Sequence, residues 1–193
     1  MLQFSLSPSS PVYVGGSRSL ASMSPAWVAV QNFVQEVVGS TPSFVHVGCS
    51  TGADQAAILA LAGSYQARVF SVTSHSGAGG WSGTASATVQ RFFSSGGSVS
   101  FLAGGALSVP LKARLIRRSL AGLAGAGVAV FFAPGAGSLS VARHALKRGI
   151  PVLVWVNPAK GCYQKIAGGK PANIITFLGF KFWLHEPKQA TLL

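Results

Sequence analysis

Short β-branched and aromatic runs alternate with helix-forming stretches along most of this chain, and that alternation constrains the fold more than any single motif. The runs are Val12–Val14, Phe44–Val47, Val69–Thr73, Val99–Leu102, Val128–Phe132 and Pro151–Val156. Helical patterns lie between them at Pro25–Val38, Ala53–Leu61, Ala85–Phe93, Pro110–Ala124 and Ser138–Arg148. In the first of these, Ser24 suits a cap, Pro25 the first turn, and Val30, Phe33, Val34 and Val37 fall at helical spacing. Strands this short and this apolar need cover on both faces, and a strand–helix–strand order joins parallel neighbours. The expected fold is α/β: a Rossmann-like, doubly wound, mainly parallel sheet with helices on both faces. At 49% hydrophobic and 9% charged residues the chain is too apolar to be disordered. Its 193 residues fit one such domain, 1–156, followed by a basic, aromatic extension, 157–193. The extension carries Lys160, Lys165, Lys170, Lys181 and Lys188 among Ile174, Ile175, Phe177, Phe180, Phe182 and Trp183. A hairpin on the sheet edge and an oligomer contact both fit it.

The ends of the apolar runs are rich in glycine. Gly15-Gly16-Ser17-Arg18, Gly48–Gly52, Gly104-Gly105 and Gly135–Gly137 each follow a run. In an open parallel sheet such ends share one edge, where ligands bind. The stretch Val128–Leu146 is the clearest case, because its strand stops at Pro134-Gly135-Ala136-Gly137-Ser138 and a helix follows. First-turn N–H groups have no intrahelical acceptor, and the helix dipole favours an anion there. One glycine turn serves an ordinary tight turn equally well; several on one edge point to a crevice for a phosphorylated ligand.

Charge points the same way. Fifteen Lys and Arg stand against three acids, Glu36, Asp54 and Glu186, for a net charge of +12. That asymmetry suits a polyanionic partner, nucleic acid before an anionic surface. On the Pro110–Ala124 helix, Leu111, Leu115, Ile116, Leu120 and Leu123 fall on one half of the wheel and Arg114, Arg117 and Arg118 on the other. No acid within the helix pairs with these arginines, so an anion clamp is favoured over a solvated basic face. Arg18 fits either a phosphate fork or an exposed turn. Asp54 suits a ribose hydroxyl or a water, but an ordinary helix-start carboxylate is the simpler reading. Arg143, Lys147 and Arg148 complement the end of their helix, and His46 and His144 read as structural. Trp81 is an aromatic for base stacking or for the core. Ser138 lacks the His and acid pattern of a nucleophile.

Other classes are disfavoured. Cys49 and Cys162 are distant and unpatterned, and with so few acids and histidines no metal or other cofactor is expected. Leu120–Pro134 is too short and glycine-broken to span a membrane. The start, MLQFSLSPSSP, lacks the basic region of a signal peptide, so a cytoplasmic protein is expected.

Taken in order, these residues resemble the SLOG superfamily of Rossmann-like nucleotide-binding proteins, and within it the DNA-processing protein A family (DprA, or Smf), over about Val12–Val156. Gly15-Gly16-Ser17-Arg18 resembles that family's first-strand G-S-R turn. Val47–Asp54 resembles its second turn, where G-x-D precedes a helix. Arg118 with Ala121-Gly122-Leu123 resembles the end of its R-N-R-I-I-A-G-L segment, and Gly137-Ser138-Leu139 with Ala142 its S-G-S-L-x-T-A turn. The first arginine of R-N-R falls on Ile116; Arg114, one turn before Arg118, is its expected substitute. The sister phosphoribohydrolases carry P-G-G-x-G-T-x-x-E; here Val141 stands in place of that glutamate, which argues against glycosidic cleavage. The resemblance implies a non-enzymatic, homodimeric protein that binds single-stranded DNA in recombination or DNA uptake. The glycine turns, the arginine helix and the resemblance together give the expected phosphate-binding residues: Gly15, Gly16, Ser17, Arg18, Gly48, Thr51, Gly52, Asp54, Gly104, Gly105, Arg114, Arg118, Gly135, Gly137 and Ser138. Arg18, Arg114, Arg117 and Arg118 are those expected to hold nucleic acid. A sensor or hydrolase of a nucleotide derivative and a self-assembling structural protein are the alternatives.

Overall fold

A computed structural model describes residues 7, 9–72, 83–102, 110–157, 166 and 173–188. Its strands are β1 (Val12–Gly16), β2 (Val45–Val47), β3 (Ala67–Ser71), β4 (Ser98–Phe101), β5 (Val128–Phe132), β6 (Val152–Trp155), β7 (Asn173–Phe177) and β8 (Phe180–His185). Its helices are α1 (Pro25–Ser40), α2 (Ala53–Ala60), α3 (Thr84–Ser94), α4 (Leu111–Gly122) and α5 (Ala136–Lys147). The strands form one sheet in the order β4-β3-β2-β1-β5-β6-β8-β7. Neighbours from β4 through β6 pair in parallel, while β8 runs antiparallel to β6 and to β7. The chain has a Rossmann-like α/β fold. The strand order reverses between β1 and β5, and in such sheets the crevice beyond the carboxyl ends at the reversal is the ligand site.

Side-chain alternation builds a core on each face. Val12, Val14, Val128, Val130, Phe132 and Leu153 join Trp27, Phe33, Val37 and Ile58 of α1 and α2 on one side. Tyr13, Ala129, Phe131, Val152 and Val154 join Leu123, Ala142, Ala145 and Leu146 near α4 and α5 on the other. Ser24 caps α1, its Oγ accepting the Trp27 N–H at 3.3 Å with Pro25 beginning the helix.

The tail supplies β7 and β8, a hairpin that continues the sheet beyond β6. Its two-residue turn, Leu178-Gly179, has positive φ at both positions, which matches the twist of a hairpin. Ile175, Phe177, Phe182 and Leu184 enter the α1-side core. The ring of Phe33 lies 5.5 Å from those of Phe180 and Phe182 and 6.0 Å from that of Phe177.

Two elements depart from the sequence expectation in ways that bear on the crevice. Gly15 and Gly16 are not a turn: they belong to β1 and pair with Phe131 and Phe132. Helix α5 begins at Ala136 rather than Ser138, because Pro134 and Gly135 complete the turn, so Gly137 and Ser138 form its first turn. Residues 103–109 and 73–82, with Gly104, Gly105 and Trp81, lie outside the described residues.

Candidate functional site

A cavity of about 430 Å³ opens at the reversal between β1 and β5. Gly15 and Gly16 of β1, Arg18 just beyond it, Gly137 and Ser138 of α5, and Asp54 and Arg118 all line it. Leu111, Leu115, Ile116 and Leu120 form the α4 wall, and Ser140, Val141 and His144 continue the α5 wall. The volume lies in the range of small-ligand sites.

The rim is cationic and polar. Arg18 is exposed on a loop held in place by its own backbone, whose carbonyl accepts the Thr51 hydroxyl at 3.0 Å. The Ala53 N–H donates to Ser17 O at 3.0 Å, and Gly52, at φ 71°, packs against Ser17 and Arg18 so closely that a Cβ would collide with their backbone. Ser17, Thr51 and Gly52 thus support the Arg18 loop from behind. Gly16 is equally tight, since a Cβ there would strike the Phe132 carbonyl and Ala53. The Ser138 hydroxyl donates to Gly16 O and ties α5 to β1. A Cβ at Gly135 or Gly137 would instead meet no neighbour, and the first-turn N–H groups of α5 have no intrahelical acceptor. Gly137 lines the cavity, whereas Gly135, expected among the phosphate residues, is not among the described residues that line it.

The floor is a buried polar network. Arg118 is 7% exposed, and its Nη1 donates to Asp54 Oδ2 at 3.2 Å and to Ser50 Oγ at 3.0 Å. Its Nη2 donates to Ser119 Oγ at 3.3 Å. Asp54, 5% exposed, also accepts the Ser50 N–H at 3.0 Å. Burial pushes the Asp54 carboxyl above the usual carboxylate range, and the Arg118 charge and Ser50 pull it back only in part. Burial is the largest single influence on Arg118 and works against its charge, but Asp54, Cys49 and Tyr13 together outweigh it and hold the guanidinium pKa above its ordinary value. Tyr13 is raised by burial, with Arg118 opposing. Gly48 makes the pair possible, because a Cβ there would overlap the Asp54 carboxylate and lie 2.6 Å from Arg118 Cζ.

This geometry corrects the helical-wheel expectation for α4. Ile116, expected on the buried half, is 39% exposed, and Arg118, expected on the solvated half, is buried. The polar floor of the cavity lies under Arg118, and the acid that pairs with it comes from α2 rather than from its own helix. Arg117 is exposed and Arg114 partly buried; neither is among the described residues that line the cavity. Asp54 does occupy the first turn of α2, as a helix-start residue would, and in addition neutralises Arg118. Tyr13, Ser119 and His144 were not singled out by the sequence as ligand residues. Tyr13 reads there as one apolar strand position, and the spacing of His144 from Gly137 on one face of α5 was its available signal.

No protein-family model matches this sequence, and no curated protein sequence matches it. Among the described residues no helix is long and apolar enough to cross a membrane. A solved structure of DNA processing protein A from Helicobacter pylori, described for its unique single-stranded DNA binding mode, superposes with a TM-score of 0.58. The match covers 78% of this chain and 68% of that one at 17% identity. At that identity the likeness is one of fold: this chain's Rossmann-like sheet is similar to that of DNA processing protein A.

Proposed function

We propose that this protein binds single-stranded DNA across the carboxyl edge of its sheet, as a DprA-like protein acting in recombination or uptake of DNA. The observation that carries the reading is the crevice at the β1–β5 reversal, where Arg18 and the open first turn of α5 face one cavity. A net charge of +12 gives the surrounding surface long-range attraction for a polyanion. The fold neighbour's single-stranded DNA binding supports the choice of partner.

Binding fits this site better than catalysis. Asp54 is the acidic residue among the described lining, and Arg118 occupies its carboxylate. Val141 offers no proton-transfer group beside it. Arg18 and the α5 N–H groups hold an anion without activating water.

Titration with single-stranded DNA, duplex DNA and mononucleotides at two salt concentrations tests the proposal. The single strand binds tightest, and its affinity falls steeply with salt as neutralised phosphates release counterions. Affinity that stays flat with salt, or that favours the duplex, overturns it. A second reading, a free nucleotide derivative as ligand, draws on the apolar α4 wall and the cavity's ligand-sized volume. A mononucleotide that raises the melting temperature where oligonucleotides do not favours that reading.

A further inference from the structure

The wall formed by α4 and α5 has a pattern that phosphate binding leaves unused. Helix α5 presents Gly137, Val141 and His144 to the cavity, while Ala142, Ala145 and Leu146 face the sheet. Spacings of four and three residues stack the cavity-facing side chains along one face. Seven residues of rise put His144 about 10 Å along the helix from Gly137. Opposite them, Ile116 and Leu120 lie one turn apart on α4 and also line the cavity. The result is an apolar slot, open to an anion at the first turn of α5 and bounded by an imidazole at its far end.

The slot specifies the chemistry of its occupant. One end meets backbone N–H groups and Arg18, so it takes an anion. The middle touches Ile116, Leu120 and Val141, so it takes an apolar surface. The far end meets an imidazole, which offers a ring nitrogen as donor or acceptor to a hydrogen-bonding edge. A bare phosphate fills the first requirement alone, and an aliphatic phosphate leaves the imidazole without a partner. A nucleotide meets all three, with a reach from phosphate to base edge of the same order as the slot.

We propose that the slot between α4 and α5 is a nucleobase site, with His144 as the residue that contacts the base edge. The inference rests on the phosphate end lying where the proposed function puts it, and names the part of the nucleotide that the remaining wall recognises. His144 then contributes base preference, and Arg18 contributes affinity common to all sequences.

The test uses the full chain, with fluorescence-anisotropy titrations of an oligothymidylate and of a strand of equal length without bases. The wild-type protein binds the baseless strand about tenfold more weakly, the size expected for loss of one hydrogen bond at the base edge. His144→Ala shrinks that difference, and Val141→Phe, which fills the slot from the other side, shrinks it as well. Both variants keep the wild-type salt dependence and, by circular dichroism, the wild-type fold. Equal wild-type affinity for the two strands overturns the site, as does an undiminished difference in both variants. Titration with AMP and with inorganic phosphate separates the two proposals. His144-dependent binding of AMP without oligonucleotide binding upholds the slot and overturns the strand reading. Failure of AMP and of both strands to bind overturns both.

Discussion

Arg118 of α4 and Asp54 of α2 form an ion pair at 3.2 Å, buried over Gly48 at the end of β2. Helices from opposite faces of the sheet are thereby joined at the floor of the crevice. Removing one partner leaves the other charge nearly buried and uncompensated. Arg118→Met is expected to cost about 3–5 kcal/mol of stability, the range for breaking a buried pair. The double variant Asp54→Leu with Arg118→Met costs less than the sum of the single changes, because no charge is left unpaired. Urea denaturation of the four proteins measures the coupling, and strict additivity refutes it.

The crevice glycines separate into two physical classes. A Cβ at Gly48 would overlap the ion pair, so Gly48→Ala is expected to destabilise by about 1–3 kcal/mol, the usual cost of overpacking. Gly137 lies inside α5 with open space where its Cβ would stand. Gly137→Ala therefore stabilises the protein, by up to about 1 kcal/mol of helix propensity. The added methyl also obstructs approach to the first-turn N–H groups, so the same variant binds nucleotide more weakly. Melting curves and titrations on one preparation check both signs.

Arg18 is exposed, and its side chain lines the cavity. Arg18→Ala is expected to leave stability within about 0.5 kcal/mol of wild type, as is usual for surface changes. Binding of single-stranded DNA weakens for every sequence, and the slope of log affinity against log salt falls by about 1. An unchanged slope places the phosphate elsewhere.

The parallel part of the sheet was legible because most of its strands are apolar on both faces and each run through Val128–Phe132 precedes a helical pattern. The crevice was legible as an edge, since Gly15, Gly48 and Gly135 mark the ends of neighbouring strands. The partners within it were not. The wheel that placed Arg118 outward and Ile116 inward assumes that a buried face is apolar, and Arg118 is buried against a carboxylate 64 positions away. The role of Gly48 was equally hidden, because it depends on that pair rather than on its own turn. The tail was legible in part: a hairpin on the sheet edge was one of two readings, and the choice stayed open because an antiparallel hairpin lies outside the strand–helix rhythm that identified the rest.

That hairpin is part of the core. Phe182 is fully buried, with its ring 5.5 Å from that of Phe33 and 6.1 Å from that of Phe132. Phe182→Ala is expected to cost about 3–5 kcal/mol through lost burial and the cavity left behind. Truncation before β7 exposes the same surface of α1 and β6, and the shortened chain is expected to aggregate or remain unfolded. A cooperative melt from the truncated protein contradicts this.

Acid lability is expected to come from buried imidazoles. His46 is 8% exposed, donates from Nδ1 to Gly122 O at 2.8 Å, and packs its ring edge-on against Phe70. Burial lowers its pKa below the ordinary 6.5; the Gly122 carbonyl opposes this without cancelling it, and Arg68 lowers it further. Burial lowers His185 in the same direction. In both cases the unfolded chain takes up its proton first as the pH falls. Their contribution is therefore complete above the unfolded value of about 6.5 and is lost as the pH drops toward the folded values. With three acidic residues in the chain, few carboxylates add to this window. Denaturation midpoints are expected to decline between about pH 7 and pH 5. NMR titration of the His46 ring should place its folded pKa below that of a free histidine; a midpoint flat across the window, or a His46 pKa above 6.5, contradicts the assignment.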